Sequence, residues 1–264
     1  MAYMKVGDIR IYYEIHGQGE PLLLIMGLGG HTLDWGCILP QQLAKYYQII
    51  VFDNRGAGRS QQPSGPYSIA QMAGDTSSLM DSLEMEKAHV FGVSMGGLIA
   101  QQLAIDQPQK VTKLVLGCTS RGGQDQILAP TEIQQYLEPQ KNLDLYDALW
   151  WAAPAGLTPE FIRDHPEIVV QKNRANMQYP SSLESYEAQL AAYRSFSAGD
   201  RLSAIQAPTL VLAGSRDVLI PRENCRIIAE QIPGAIRKEI DGAGHLFWIS
   251  HPQETVSILC DFLD

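Results

Sequence analysis

The chain has 264 residues, 45% of them hydrophobic, which is enough for one sizeable core and for a domain with an insertion rather than two full domains. Its formal net charge is −9 and no run of Lys and Arg stands out, so neither nucleic acid nor an anionic membrane surface is expected as a partner. No window reaches the ~18 apolar residues of a membrane span, the N-terminus lacks the pattern of a signal peptide, and the cysteines at 37, 118, 225 and 260 form no CxxC pair; a cytoplasmic protein with reduced, mostly buried thiols and no zinc site is expected.

Residues 3–7 and 9–16 read as an antiparallel strand pair around Gly7-Asp8. Residues 21–27 (PLLLIMG) form a continuous apolar run ending in glycine, the pattern of a strand buried on both faces. Residues 47–56, 89–94, 113–118 and 207–214 repeat that form, and 237–242 is a weaker version. Helical spacing lies between them. Residues 68–84 place Ile69, Met72, Ala73, Thr76, Leu79, Met80 and Leu83 on one face. Residues 95–107 form a second helix ended by Pro108, and the last helix opens at His251-Pro252. Strands alternating with helices of this length predict an α/β fold, a mostly parallel central sheet flanked by helices. From Gly122 to about Gly199 the alternation stops and only helix patterns remain. The expected organisation is a core of residues 1–123 and 200–264 with a helical cap inserted at 124–199.

Gly92-Val93-Ser94-Met95-Gly96 fits G-x-S-x-G between a strand and a helix. In that context the turn is tight enough to exclude bulky Cβ atoms, and it lifts the serine hydroxyl above the carboxyl edge of the sheet. It also aims the Met95 amide at the same spot, at a helix N-terminus where negative charge is favoured. A serine N-cap would account for Ser94 but not for the glycines on both sides. A serine nucleophile needs a base. His245, in the loop GAGH after the last strand, is on the same sheet edge; His16, His31 and His89 precede the serine, His165 is in the cap, and His251 sits at a helix start. The imidazole needs an acid to fix its tautomer. Asp217 follows the strand at 207–214, whereas the end of the strand before the cap (GCTSRGG) holds no carboxylate, and Asp241 is only four residues from His245. The loop Met26-Gly27-Leu28-Gly29-Gly30 supplies the Leu28 amide as a second oxyanion donor beside that of Met95.

With these pieces in place the chain resembles the α/β-hydrolase superfamily over nearly its whole length. Asp53-Asn54-Arg55-Gly56-Ala57-Gly58-Arg59-Ser60, a turn that is usually structural in the family, and Gly214-Ser215-Arg216-Asp217 with Pro221 add to the match. The set is most similar to small serine esterases and lactonases: 3-oxoadipate enol-lactonases, aclacinomycin-type methylesterases and acyl-homoserine lactonase-like esterases. Met26-Gly27 stands where the family usually has His-Gly, which keeps the backbone donor and removes a side chain that often braces the loop. Ser94 stands where haloalkane dehalogenases and epoxide hydrolases have aspartate, which argues against those reactions.

The resemblance implies hydrolysis of a small-molecule ester or lactone through an acyl-enzyme, with Ser94 as nucleophile, His245 as base, Asp217 as its partner, and no metal or organic cofactor. The rate is expected to fall with protonation of His245 near its ordinary pKa of ~6.5. Gly27, Trp150, Trp151, Met177, Tyr179, Tyr193 and Trp248 are the candidate pocket residues, although for each cap residue taken singly packing in the cap core is the commoner role. A cofactor-free perhydrolase or haloperoxidase, a carbon–carbon bond hydrolase and a ligand receptor with slow turnover use the same constellation; a dienone substrate or a turnover number on simple esters separates them. Acyl length, ester against lactone preference and oligomeric state are not encoded in any pattern above.

Overall fold

Eight strands pair into one sheet in the computed structural model, which describes residues 2–264. They are β1 (Ala2–Val6), β2 (Ile9–His16), β3 (Pro21–Ile25), β4 (Gln48–Phe52), β5 (Ala88–Val93), β6 (Val111–Gly117), β7 (Thr209–Gly214) and β8 (Ile236–Ile240). Their order across the sheet is β1-β2-β4-β3-β5-β6-β7-β8. β2 is antiparallel to both of its neighbours, β1 and β4, and every pairing from β4 to β8 is parallel. The fold class expected from the alternating pattern is the one observed.

The apolar runs are explained by burial on both faces. Leu23 and Ile25 point to one side with Val90, Leu114, Leu116 and Val211; Leu22 and Leu24 point to the other with Phe91, Val93, Val115 and Leu212. Helices cover each side: α1 (Ile38–Leu43), α2 (Ile69–Ser82) and α3 (Met95–Asp106) early in the chain, then α4 (Thr131–Gln134), α5 (Leu145–Gly156), α6 (Pro159–Asp164), α7 (Pro166–Asn176) and α8 (Leu183–Ser195), and finally α9 (Glu223–Gln231), α10 (Phe247–Ser250) and α11 (Pro252–Leu263). The spacing in 68–84 becomes α2, capped by the Ser68 hydroxyl on the Gln71 amide at 3.0 Å.

Helices α4 to α8 lie between β6 and β7. The pattern at 158–177 is split in two because Pro166 cannot continue α6; His165 ends one helix and precedes the other. The insert leaves and re-enters the core side by side, through an antiparallel bridge between Gly122 and Ser197. All four cysteines are free, with Cys118 and Cys225 buried, Cys260 partly buried and Cys37, contrary to expectation, exposed. Among the described residues no helix is long and apolar enough to cross a membrane.

Candidate active site

The site gathers at the carboxyl ends of the parallel strands. The order β3-β5-β6-β7-β8 places the loop after β3 beside Ser94 at the end of β5, and the loops after β7 and β8 bring in Asp217 and His245. Ser94 has φ 54° and ψ −123°, a left-handed region that costs a non-glycine residue ~1–3 kcal/mol. Three hydrogen bonds hold it there. Its amide donates to the Gly117 carbonyl at 2.9 Å, and its carbonyl accepts from the Gly97 amide at 2.9 Å and the Thr119 hydroxyl at 2.7 Å. A Cβ on Gly92 would collide with the Gly96 carbonyl, and one on Gly96 with the Ile25 carbonyl, so the crossing of β5 and α3 over β3 demands both glycines. Ser94 occupies the N-cap position of α3, yet its side chain makes no capping bond. The hydroxyl is left to the cavity.

His245 Nδ1 lies 2.8 Å from Asp217 Oδ2, and both side chains are almost fully buried. A carboxylate only accepts, so Nδ1 carries the proton and Nε2 is the ring nitrogen left to act as a base. Asp217 Oδ1 accepts the amides of Leu219 and Ile220, each at 2.9 Å, which fixes the carboxylate in its tight turn. Burial alone would lower the imidazole pKa; the Asp217 carboxylate outweighs it and holds His245 above its usual 6.5, on the alkaline side of the expected value. Cys118, also in a left-handed conformation, lies beside His245, and burial pushes its thiol pKa up, so it stays neutral.

The loop Met26–Gly30 faces Ser94. A Cβ on Gly27 would stand 3.0 Å from Ser94 Cβ and 3.5 Å from its hydroxyl oxygen. In place of the side-chain brace that Met26 lacks, three neighbours fix the loop. Asn54 Nδ2 donates to the Met26 carbonyl at 2.8 Å, Gly30 donates to the Gly27 carbonyl at 3.2 Å, and the Gly29 amide donates to Gln189 Oε1 at 2.8 Å. Among the described residues the amides of Leu28 and Met95 have no protein acceptor. The turn at 53–60 works from behind: Asp53 accepts the Thr32 amide at 2.7 Å and the Arg59 amide at 2.8 Å, while Arg55 is forked between Asp75 and Asp8.

Ser94 and His245 open into one cavity of about 690 Å3, within the range of small-molecule sites. Gly27, Leu28, Trp151 and Trp248 line it, Trp248 being held by its indole N–H on the Asp34 carbonyl at 2.9 Å. Trp150, Met177, Tyr179 and Tyr193 do not. Trp150 packs with Ala153, Leu157 and Val169 inside the insert, Met177 caps α7 and is exposed, Tyr179 stacks on Arg59, and Tyr193 packs on the main core. The sequence reading missed Asp34, Lys172, Asn176, Gln189 and Thr119. The first three line the cavity, and Asn176 Nδ2 donates to both oxygens of Asp34 at 3.1 Å. No sequence signal marks Gln189, which interrupts no pattern beside the stripe Leu183, Tyr186, Leu190, Tyr193 and is fully buried in the structure.

A serine on a strained strand-to-helix turn, a histidine–carboxylate pair and a braced glycine loop meet at one edge of the sheet, in a fold of the α/β class. The sequence profile described as the alpha/beta hydrolase fold matches residues 20–252, and the chain belongs to that family. It is similar to the candidate carbamate hydrolase RutD of Azorhizobium caulinodans, with 31% identity over 99% of this chain and 98% of that one. It is also similar to 3-oxoadipate enol-lactonase 2 of Acinetobacter baylyi, with 30% identity over 93% of this chain and 90% of the other. Among solved structures, the enol-lactonase of Burkholderia xenovorans LB400 shares the fold with a TM-score of 0.89 at 24% identity, over 99% of both chains.

Proposed function

We propose that the protein hydrolyses carboxylic esters or lactones through an acyl-enzyme, and that residues 124–199 act as the cap that selects the substrate. The observation that carries this reading is the 2.8 Å His245–Asp217 bond, with His245 lining the same cavity as Ser94. Ser94 Oγ attacks the carbonyl as its proton passes to His245 Nε2. The amides of Leu28 and Met95 receive the oxyanion, each donor contributing ~3 kcal/mol in the transition state. The imidazolium, steadied by Asp217, then protonates the leaving alkoxide. Water attacks the acyl-enzyme by the same route, with His245 taking its proton and returning it to Ser94 as the acid departs.

The test is a panel of p-nitrophenyl esters of rising chain length, γ-lactones and acyl-homoserine lactones, run on the wild type and on Ser94→Ala. Turnover should vanish in the variant, with loss of any burst of the released phenol. Unchanged turnover would remove Ser94 from the nucleophile role. The RutD relative favours a second reading, in which the carbonyl attacked belongs to a carbamate. The same groups serve that reaction, and ammonia release from a carbamate in the same panel decides between them.

A further inference from the structure

The cavity contains a cation that the hydrolytic steps do not use. Lys172 lies on α7, four residues before Asn176 and so on the same helix face, and both line the cavity with Ser94 and His245. The other charged groups at the wall are already paired. Lys141 meets Glu187 at 3.1 Å, and Glu138 meets Arg194. Asp34 accepts the His31 amide at 2.9 Å and the Asn176 side-chain amide. Lys172 makes only a 3.3 Å bond to its neighbour Asn173 Oδ1, and among the described residues it has no ion-pair contact. An ammonium has three donors, so two remain for a ligand. Removal from water lowers its pKa, and Asp34 opposes this only from beyond ion-pair contact. A partly buried ammonium in that state is stabilised by an incoming anion more than by any group of the protein.

We infer that Lys172 receives a carboxylate carried by the substrate whose scissile carbonyl lies at Ser94. The same cavity is lined elsewhere by the apolar side chains of Leu137, Leu143, Leu149, Trp151 and Leu183. The substrate class is therefore an ester or lactone with an apolar body and a terminal carboxylate, and Lys172 is its specificity residue. This rests on the hydrolase reading above, with Ser94 as nucleophile.

The test compares mono-p-nitrophenyl esters of straight-chain dicarboxylic acids with the same esters methylated at the free end. The wild type should prefer the acid-ended member. In Lys172→Met the ratio of kcat/KM for acid-ended over methyl-capped ester should fall ~10–100-fold, mostly through KM, which is what one charge-assisted hydrogen bond is worth. Lys172→Arg should keep most of the preference. If Lys172→Met does not fold, inhibition of the wild type by free dicarboxylates against their dimethyl esters replaces it, and the diacids should be the stronger inhibitors. A ratio unchanged in Lys172→Met, or no preference and no stronger inhibition by diacids in the wild type, overturns the assignment. Turnover of both esters by Ser94→Ala would instead overturn the hydrolase reading and this one with it.

Discussion

Replacing Asp217 by Asn tests the candidate site most sharply, because the structure dictates what the new amide must do. Asp217 Oδ1 accepts two backbone amides and Oδ2 faces His245 Nδ1. An asparagine has one acceptor oxygen and one donor nitrogen. The oxygen must stay with the Leu219 and Ile220 amides, since turning NH2 toward them would set donors against donors and leave buried groups unsatisfied. The NH2 then meets Nδ1, which can only be unprotonated, and the proton moves to Nε2. That is the wrong tautomer for a base facing Ser94. Where this swap has been characterised in a catalytic triad, the loss in kcat is about 10⁴-fold, which corresponds to ~5.4 kcal/mol at 1.36 kcal/mol per factor of ten. The assay is kcat on the best ester of the panel, with Asp241→Asn as control. Asp241 accepts only the Ser215 hydroxyl at 3.1 Å, and its replacement should stay within roughly 0.5 kcal/mol. More than a tenth of wild-type activity in Asp217→Asn, or an equal loss in Asp241→Asn, would refute the reasoning.

Two further outcomes follow from the geometry. Catalysis needs neutral His245 and its pKa is raised, so kcat/KM should fall as pH drops through a value on the alkaline side of 6.5; a pH profile whose limb lies at or below ~6.5 contradicts the part assigned to Asp217. Arg55→Met should lower stability by ~3–5 kcal/mol in urea unfolding, because it strands the buried Asp75 carboxylate, whose pKa burial already pushes up; the double variant with Asp75→Leu should recover part of that loss.

The sheet and its flanking helices were legible because burial on two faces writes long apolar runs, and a 3–4 spacing writes helices. The elbow was legible because its glycines answer a local steric demand. His245 and Asp217 could be proposed because topology alone brings the ends of β5, β7 and β8 to one edge. The pocket was not legible in this way. A tryptophan on an inserted helix reads the same whether it faces a cavity, as Trp151 does, or packs inside the insert, as Trp150 does. The bonds from Asn176 to Asp34 and from Gln189 to Gly29 join residues 142 and 160 positions apart, and no local pattern encodes such pairs. The raised pKa of His245 escaped for the same reason, since it depends on how deeply two distant loops are buried together.

Gln189 joins the inserted helices to the glycine loop after β3. From α8 it accepts the Gly29 amide and donates to the Arg55 carbonyl at 2.6 Å, so it clamps the loop that carries the Leu28 amide to the turn behind it. Any outward swing of α8 would release that loop and, with it, the amide proposed to receive the oxyanion. The segment around 137–141 is tied to α8 in turn, by the Tyr186 hydroxyl on the Leu137 carbonyl at 3.0 Å and by Lys141 with Glu187 at 3.1 Å. Cavity wall and loop are therefore linked through one helix, so a displacement of α8 is felt on both sides of the enclosure.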